Sequence, residues 1–170
     1  MRINEAFWLW GQFSKSCTEN LSLLQKESQE ILSSPSFDVH ITLAGPYKNI
    51  ENLFEVSINN LLKKFPPLIL NLNDYSFENN FYTSFFISVE DSNNLKNLRA
   101  EICNCYPFDI NVNYVPHISL IYGDHSKKNK ALLLSKIKPH PSTIIMDKIS
   151  VVDVNEKKRK WHILKSFELK

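Results

Sequence analysis

His40-Ile41-Thr42-Leu43 and His117-Ile118-Ser119-Leu120 are one phrase written twice, once in each half of the chain. Residues i and i+2 of a β-strand share a face. Each tetrapeptide therefore presents an imidazole beside a hydroxyl on one face and anchors two aliphatic side chains in a core on the other. A single histidine in a strand is most often structural. Two matching phrases at equivalent places in two similar halves point instead to function. If the halves pack about a pseudo-twofold axis, both pairs converge on one cleft. Two imidazoles titrating at about pH 6.5 then serve as general base and general acid. Two hydroxyls donate hydrogen bonds to the non-bridging oxygens of a phosphoryl group as charge builds there. The chemistry this suits is in-line attack on a phosphodiester, above all a strained 2′,3′-cyclic one. One imidazole deprotonates water and the other protonates the departing ribose oxygen.

Around the two phrases the pattern reads as βαβαββ followed by αβαββ. Strands are expected over Ala6–Trp10, Phe37–Leu43 (stopping at Gly45-Pro46), Leu68–Tyr75, Phe81–Val89, Val112–Tyr122, Thr143–Val154 and Trp161–Leu169. Helices are expected over Glu19–Leu32 with Thr18 as cap, from Asn49 to Lys64, from Ser92 to about Tyr106, and over Lys127–Lys136. All eight prolines then fall at or between element ends. The second half echoes the first, and no linker is long enough to separate independent domains, so residues 1–170 are expected to form a single domain of two interleaved lobes.

Composition removes several alternatives. A chain of 170 residues buries roughly 70% of its unfolded surface and needs no disulfide or metal staple. Twenty basic against 18 acidic residues leave +2, too little for a general nucleic-acid coat protein. Only three glycines occur, Gly11, Gly45 and Gly123, and no phosphate-cradling glycine loop can be written from them. Cys17, Cys103 and Cys105 lack metal-site spacing and read as small thiols in a reducing compartment. Two histidines without nearby carboxylates make a poor metal site, so neither metal nor cofactor is expected. No apolar run is long enough to span a bilayer, and the N-terminus has no small-residue cleavage site, so no secretory signal is expected.

The paired His-x-Thr/Ser resembles the signature of the two-histidine (2H) phosphoesterase superfamily, and within it the small cyclic phosphodiesterases. These open ADP-ribose 1″,2″-cyclic phosphate and nucleoside 2′,3′-cyclic phosphates. The likeness extends to Phe7-Trp8-Leu9, to the whole run Tyr114-Val115-Pro116-His117-Ile118-Ser119-Leu120-Ile121-Tyr122, and to Trp161 in the closing hairpin. It implies a bilobal α+β fold, with two antiparallel sheets facing a central cleft, helices outside, and pseudo-twofold related halves. It also implies metal-independent hydrolysis of a cyclic phosphate to a monoester, a 2′-phosphate (1″ in the ADP-ribose case). Carried over by position, His40 and His117 become the acid–base pair, and Thr42 and Ser119 the phosphate binders. Trp8 and Tyr122 become aromatic walls for base or ribose. Trp10, on the same face as Trp8, is the alternative wall. Two features depart from the pattern. Val39 stands where the cyclic phosphodiesterases usually have proline. Tyr122 lies at odd parity from His117, so an ideal strand would aim it away from the cleft.

The expected partner is a small cyclic-phosphate nucleotide, with an oligonucleotide second, and the chain is expected to act as a monomer in the cytoplasm, a host's if it is viral. The same chemistry on cyclic oligonucleotide signals or RNA ends is one alternative, with the basic run Glu156-Lys157-Lys158-Arg159-Lys160 as its support. A non-catalytic nucleotide- or RNA-binding module is another. His125 and His140 read as loop residues, His162 as structural, and Arg99 as a solvent-facing helix residue. Alanine at His40 or His117 should abolish hydrolysis with little change in melting temperature. The pH–rate profile should be a bell between roughly pH 5 and 8.

Overall fold

The computed structural model describes residues 5–48, 56–108, 110, 113–155 and 159–170. Its elements run β1 (Glu5–Phe13), α1 (Lys15–Ile31), β2 (Ile41–Tyr47), α2 (Val56–Leu62), β3 (Leu68–Ser76), β4 (Phe85–Val89), α3 (Asn93–Cys105), β5 (His117–Ile121), α4 (Lys127–Lys136), β6 (Thr143–Asn155) and β7 (Lys160–Glu168). Every strand pairing is antiparallel, in the order β1-β2-β5-β4-β3-β6-β7, with β6 also pairing β1. The long strand β6 explains this double role. Its Lys148–Asn155 stretch lies between β1 and β7, while Thr143–Met146 pairs with β3. All seven strands thus belong to one hydrogen-bonded sheet, whose two parts, β2-β1-β6-β7 and β5-β4-β3, correspond to the two sheets expected; they are joined by β6 at one side and, among the described residues, by one Cα pair at the other, Ile41 with Ile118.

Alternation along β1 and β6 gives the first sheet two apolar faces. Leu9, Phe13, Ile149 and Val151 enter the main core, whereas Trp8, Trp10, Val152, Val154 and Trp161 form a second cluster on the opposite face. Helices cover the core side: α1 packs on β5 and β1, and α3 packs on β2. Ser92 and Ser126 cap α3 and α4, accepting from Leu95 N and Asn129 N. Leu95, Leu98 and Ile102 point inward as expected.

Several boundaries differ from the sequence reading. Helix α1 begins at Lys15, because Ser14 N bonds Ile145 O and the chain turns directly out of β1. Thr18 is inside the first turn and donates its hydroxyl to Phe13 O, 2.9 Å away, rather than capping. Residues 37–40 join no ladder, and β2 instead continues through Gly45-Pro46 to Tyr47, which pairs with Phe7. Two register shifts in the β1–β2 pairing absorb the proline, as a bulge does. Residues 81–84 are loop, because their carbonyls serve Gly123 N and the Ser119 hydroxyl instead of a neighbouring strand. Strand β5 starts only at His117, since Pro116 has no N–H to give a ladder. The expected start of the second helix, residues 49–55, lies outside the described residues, as do residues 156–158 of the basic run.

Candidate active site

The single β2–β5 pair falls on the second residue of each tetrapeptide. Ile41, Leu43, Ile118 and Leu120 are buried in the main core. By alternation His40, Thr42, His117 and Ser119 share the opposite face, and the antiparallel register sets His40 across from Ser119 and Thr42 across from His117. All four line one cleft of about 880 Å³.

Both imidazoles are held alike. His40 Nδ1 lies 2.6 Å from Asp38 O, and His117 Nδ1 lies 2.7 Å from Val115 O, in each case the carbonyl two residues upstream. A carbonyl only accepts, so Nδ1 carries the proton and Nε2 is left for the cleft. Their surroundings differ. His40 is 5% exposed and lies flat on Trp10, with centroids 3.4 Å apart and planes 5° from parallel. Burial pushes its pKa down to about 3, with repulsion from His117 adding to the shift and the Asp38 bond opposing it. His117 is half-buried, with the Phe86 ring 5.1 Å away. The matched pair is thus chemically unequal: one imidazole stays neutral, and the other is open to water.

The hydroxyls differ as well. Ser119 Oγ donates to Tyr82 O at 2.8 Å, so it must turn before it can donate to a ligand. Thr42 is fixed through its backbone, with its carbonyl accepting from the Tyr114 hydroxyl at 2.8 Å.

The expected aromatic residues all line the cleft, in different capacities. Trp10 is committed to His40 and acts as a positioning surface. Trp8 is half-buried and packs on Gly45, where φ is +128° and a Cβ would sit 2.8 Å from the indole. Tyr122 faces the cleft despite its parity, because β5 ends at Ile121 and Ser34 Oγ takes the Tyr122 N–H. Its ring stacks on Phe37 at 3.8 Å and meets Tyr82 and Trp161 at 5.2 and 5.6 Å. Burial raises its phenol pKa, so it stays neutral.

Other lining residues were given no role by the sequence: Glu78, Asn80 and Tyr82 on the β3–β4 loop, and Tyr114, which heads the second motif before β5. Arg99 is the clearest correction. Its charge suggests a solvent-facing residue, yet it lines the cleft, and its Nε donates to Leu43 O at 2.9 Å. Leu95, Leu98, Arg99 and Ile102 follow the i, i+3, i+4, i+7 pattern of an inward face, which is the signal in the sequence that marks it. His125, His140 and His162 do not line the cleft. His125 Nε2 contacts Ser33 O and His140 Nδ1 contacts Pro141 O. Cys17, Cys103 and Cys105 are free and half-buried. Among the described residues no group of three or more His, Cys, Asp or Glu could hold a metal ion, and no helix is long and apolar enough to cross a membrane.

The chain resembles solved structures along nearly its whole length. Escherichia coli LigT complexed with 3′-AMP aligns with a TM-score of 0.59 at 13% identity over 98% of each chain. TT0787 of Thermus thermophilus aligns at 0.61 and 14% identity, over 96% of this chain and 97% of the other. A structure described as a phosphoesterase aligns at 0.61 and 13% identity, over 97% and 98%. At such identities the likeness is one of fold. No curated protein matches the sequence. The family model of the 2′-5′ RNA ligase superfamily matches residues 25–158, a span holding both tetrapeptides. With two antiparallel sheets meeting where the two His-x-hydroxyl phrases meet, this chain belongs to the 2′-5′ RNA ligase superfamily of two-histidine phosphoesterases.

Proposed function

We propose that the chain hydrolyses a nucleoside 2′,3′-cyclic phosphate, or ADP-ribose 1″,2″-cyclic phosphate, to a phosphomonoester. The observation that carries this is the 2 × 2 arrangement of two imidazoles and two hydroxyls on one cleft floor, with both Nε2 atoms left for the cleft by virtue of the Nδ1 bonds. The unequal surroundings of the imidazoles divide the work. Neutral His40 takes a proton from water at Nε2 as the water oxygen bonds to phosphorus. The bond from phosphorus to one ribose oxygen breaks, and His117, entering the step as an imidazolium with Nδ1–H still on Val115 O, delivers its Nε2 proton to that oxygen. Thr42 and Ser119 donate to the non-bridging oxygens, Ser119 after leaving Tyr82 O. Trp8 and the Tyr122 cluster wall in the base or ribose. No step uses a metal.

A substrate panel read by phosphorus NMR tests this. It contains 2′,3′-cyclic mononucleotides, ADP-ribose cyclic phosphate, cyclic-phosphate-ended RNA and cyclic di- and trinucleotides, each with and without EDTA. EDTA-resistant conversion of a small cyclic phosphate to a 2′-monoester (1″ for ADP-ribose) is expected. Turnover confined to RNA ends or cyclic oligonucleotides would replace the substrate assignment, and loss of activity in EDTA would overturn the mechanism.

A further inference from the structure

The cleft has two chemically different ends. Around His40 and Ser119 stand rings: Trp10 on His40, and Tyr82 and Tyr122 beside Ser119. Around Thr42 stand Trp8, packed on Gly45, and a cation. Arg99 Nε donates to the carbonyl of Leu43, the residue after Thr42. The guanidinium carbon lies 3.3 Å from the Tyr114 ring centroid, and that ring is pinned by its own hydroxyl to Thr42 O. Phe108 approaches at 5.5 Å. The guanidinium plane is therefore fixed by one hydrogen bond and one stack, and the terminal nitrogens are not used by either.

A half-buried cation without an ion-pair partner is costly to keep. Among the described residues no carboxylate pairs with Arg99. The carboxylate that does line the cleft, Glu78, accepts from the Thr83 hydroxyl at 2.7 Å in the β3–β4 loop, beside the ring-rich end. The residue choice adds an independent hint. The chain uses Lys 17 times and Arg three times, yet an arginine stands here. A rigid fork that accepts anions edge-on is what arginine offers and lysine does not.

We propose that Arg99 forms a second anion subsite, which selects substrates carrying a further phosphate on the 5′ side of the ribose whose cyclic phosphate is opened. This rests on the seating proposed above, with the 2′,3′ edge of the ribose on the floor. The base and the 5′ carbon leave the ring from C1′ and C4′, on opposite sides of the ring oxygen. When the base lies against Tyr82 and Tyr122, on the Ser119 side, the 5′ substituent of a ribose so seated leaves on the Thr42 side, toward Arg99. The shared ligand chemistry is a phosphate, either a terminal 5′-phosphate (or diphosphate) or the internucleotide phosphate of a longer chain.

Product-like ligands test this without turnover, so the result stands apart from the fate of the hydrolysis assignment. Calorimetry compares adenosine 2′-monophosphate, adenosine 2′,5′-bisphosphate and a dinucleotide whose 3′ residue bears the 2′-phosphate, on wild type, Arg99→Gln and Arg99→Lys. Wild type should bind the bisphosphate at least about tenfold more tightly than the monophosphate, the scale of one charge-assisted contact. Arg99→Gln should bring the two within about twofold, and Arg99→Lys should fall between. The ratio within one protein is insensitive to a general loss of packing. An equal gain for the dinucleotide assigns the anion to an internucleotide phosphate, and a gain confined to the bisphosphate assigns it to a terminal one. Absence of the preference in wild type, or its survival in Arg99→Gln, overturns the subsite. Failure of every cyclic phosphate to turn over would sink the hydrolysis assignment and leave this ratio to be judged by itself.

Discussion

Burial on Trp10 keeps His40 uncharged, with its one ring proton on Nδ1, across the neutral range, and two measurements follow. A base whose pKa lies at about 3 is still competent when the medium is mildly acidic, so the symmetric bell between pH 5 and 8 suggested by the sequence gives way to a one-sided profile. From pH 7 to pH 5, kcat/KM should not decline on the acid side, and a decline with a midpoint at about 6.5 would show that His40 titrates as an ordinary imidazole. The same shift is linked to folding. In the unfolded chain His40 has its ordinary pKa of 6.5 and in the fold a lower one, so its contribution to stability is complete above about pH 6.5 and is lost as pH falls toward 3. His40→Asn should therefore flatten the dependence of Tm on pH across that window relative to wild type. Burial also changes the choice of variant. Alanine would leave a cavity beneath Trp10 and lower Tm, contrary to the sequence expectation, whereas His117, half-buried, tolerates truncation better. The four floor residues are readable because period-two alternation needs no tertiary information. The inequality between the histidines is not, because it comes from Trp10 and from the two elements' different solvent access.

Elements are legible in the sequence and their ends are not, for a common reason. A strand stops where its partner does. Phe81 and Tyr82 have strand-forming side chains, but their carbonyls answer Gly123 N and Ser119 Oγ, so they become cleft wall. Gly45-Pro46 has turn composition, yet β1 continues alongside it and keeps it in the ladder. Arg99 misleads because charge on a helix suggests solvent, although its spacing matches the buried stripe. Gly45 carries an element-scale prediction. Its positive φ and the Trp8 indole, 2.8 Å from where a Cβ would sit, exclude a side chain. Gly45→Ala should cost about 1–3 kcal/mol in denaturant melts and should displace Trp8, raising KM more than it lowers kcat. An unchanged midpoint would mean that β2 can re-register there.

At the scale of the molecule, the resemblance anticipates lobes, cleft and outer helices, while the way the lobes join has no local signature. Strand β6 is threaded through both sheets, and it pairs residues from opposite ends of the chain, Trp10 with Ser150 and Leu9 with Val151. A chain cut after Ser142 keeps His40, Thr42, His117, Ser119, both cleft tryptophans of β1 and Arg99, yet loses the partner of β1 and β3. It should show no cooperative thermal transition and no hydrolysis. A folded, active fragment would refute the shared-strand account.

This threading has a consequence in time. Every group assigned to chemistry is synthesised before β6, so the reactive residues precede the strand that joins their two sheets. Non-local strand pairing is slow to nucleate, because loop entropy is paid before any contact rewards it. Completion of the cleft thus waits on β6, and a chain interrupted before it carries the full set of reactive side chains without the strand that joins β1 to β3.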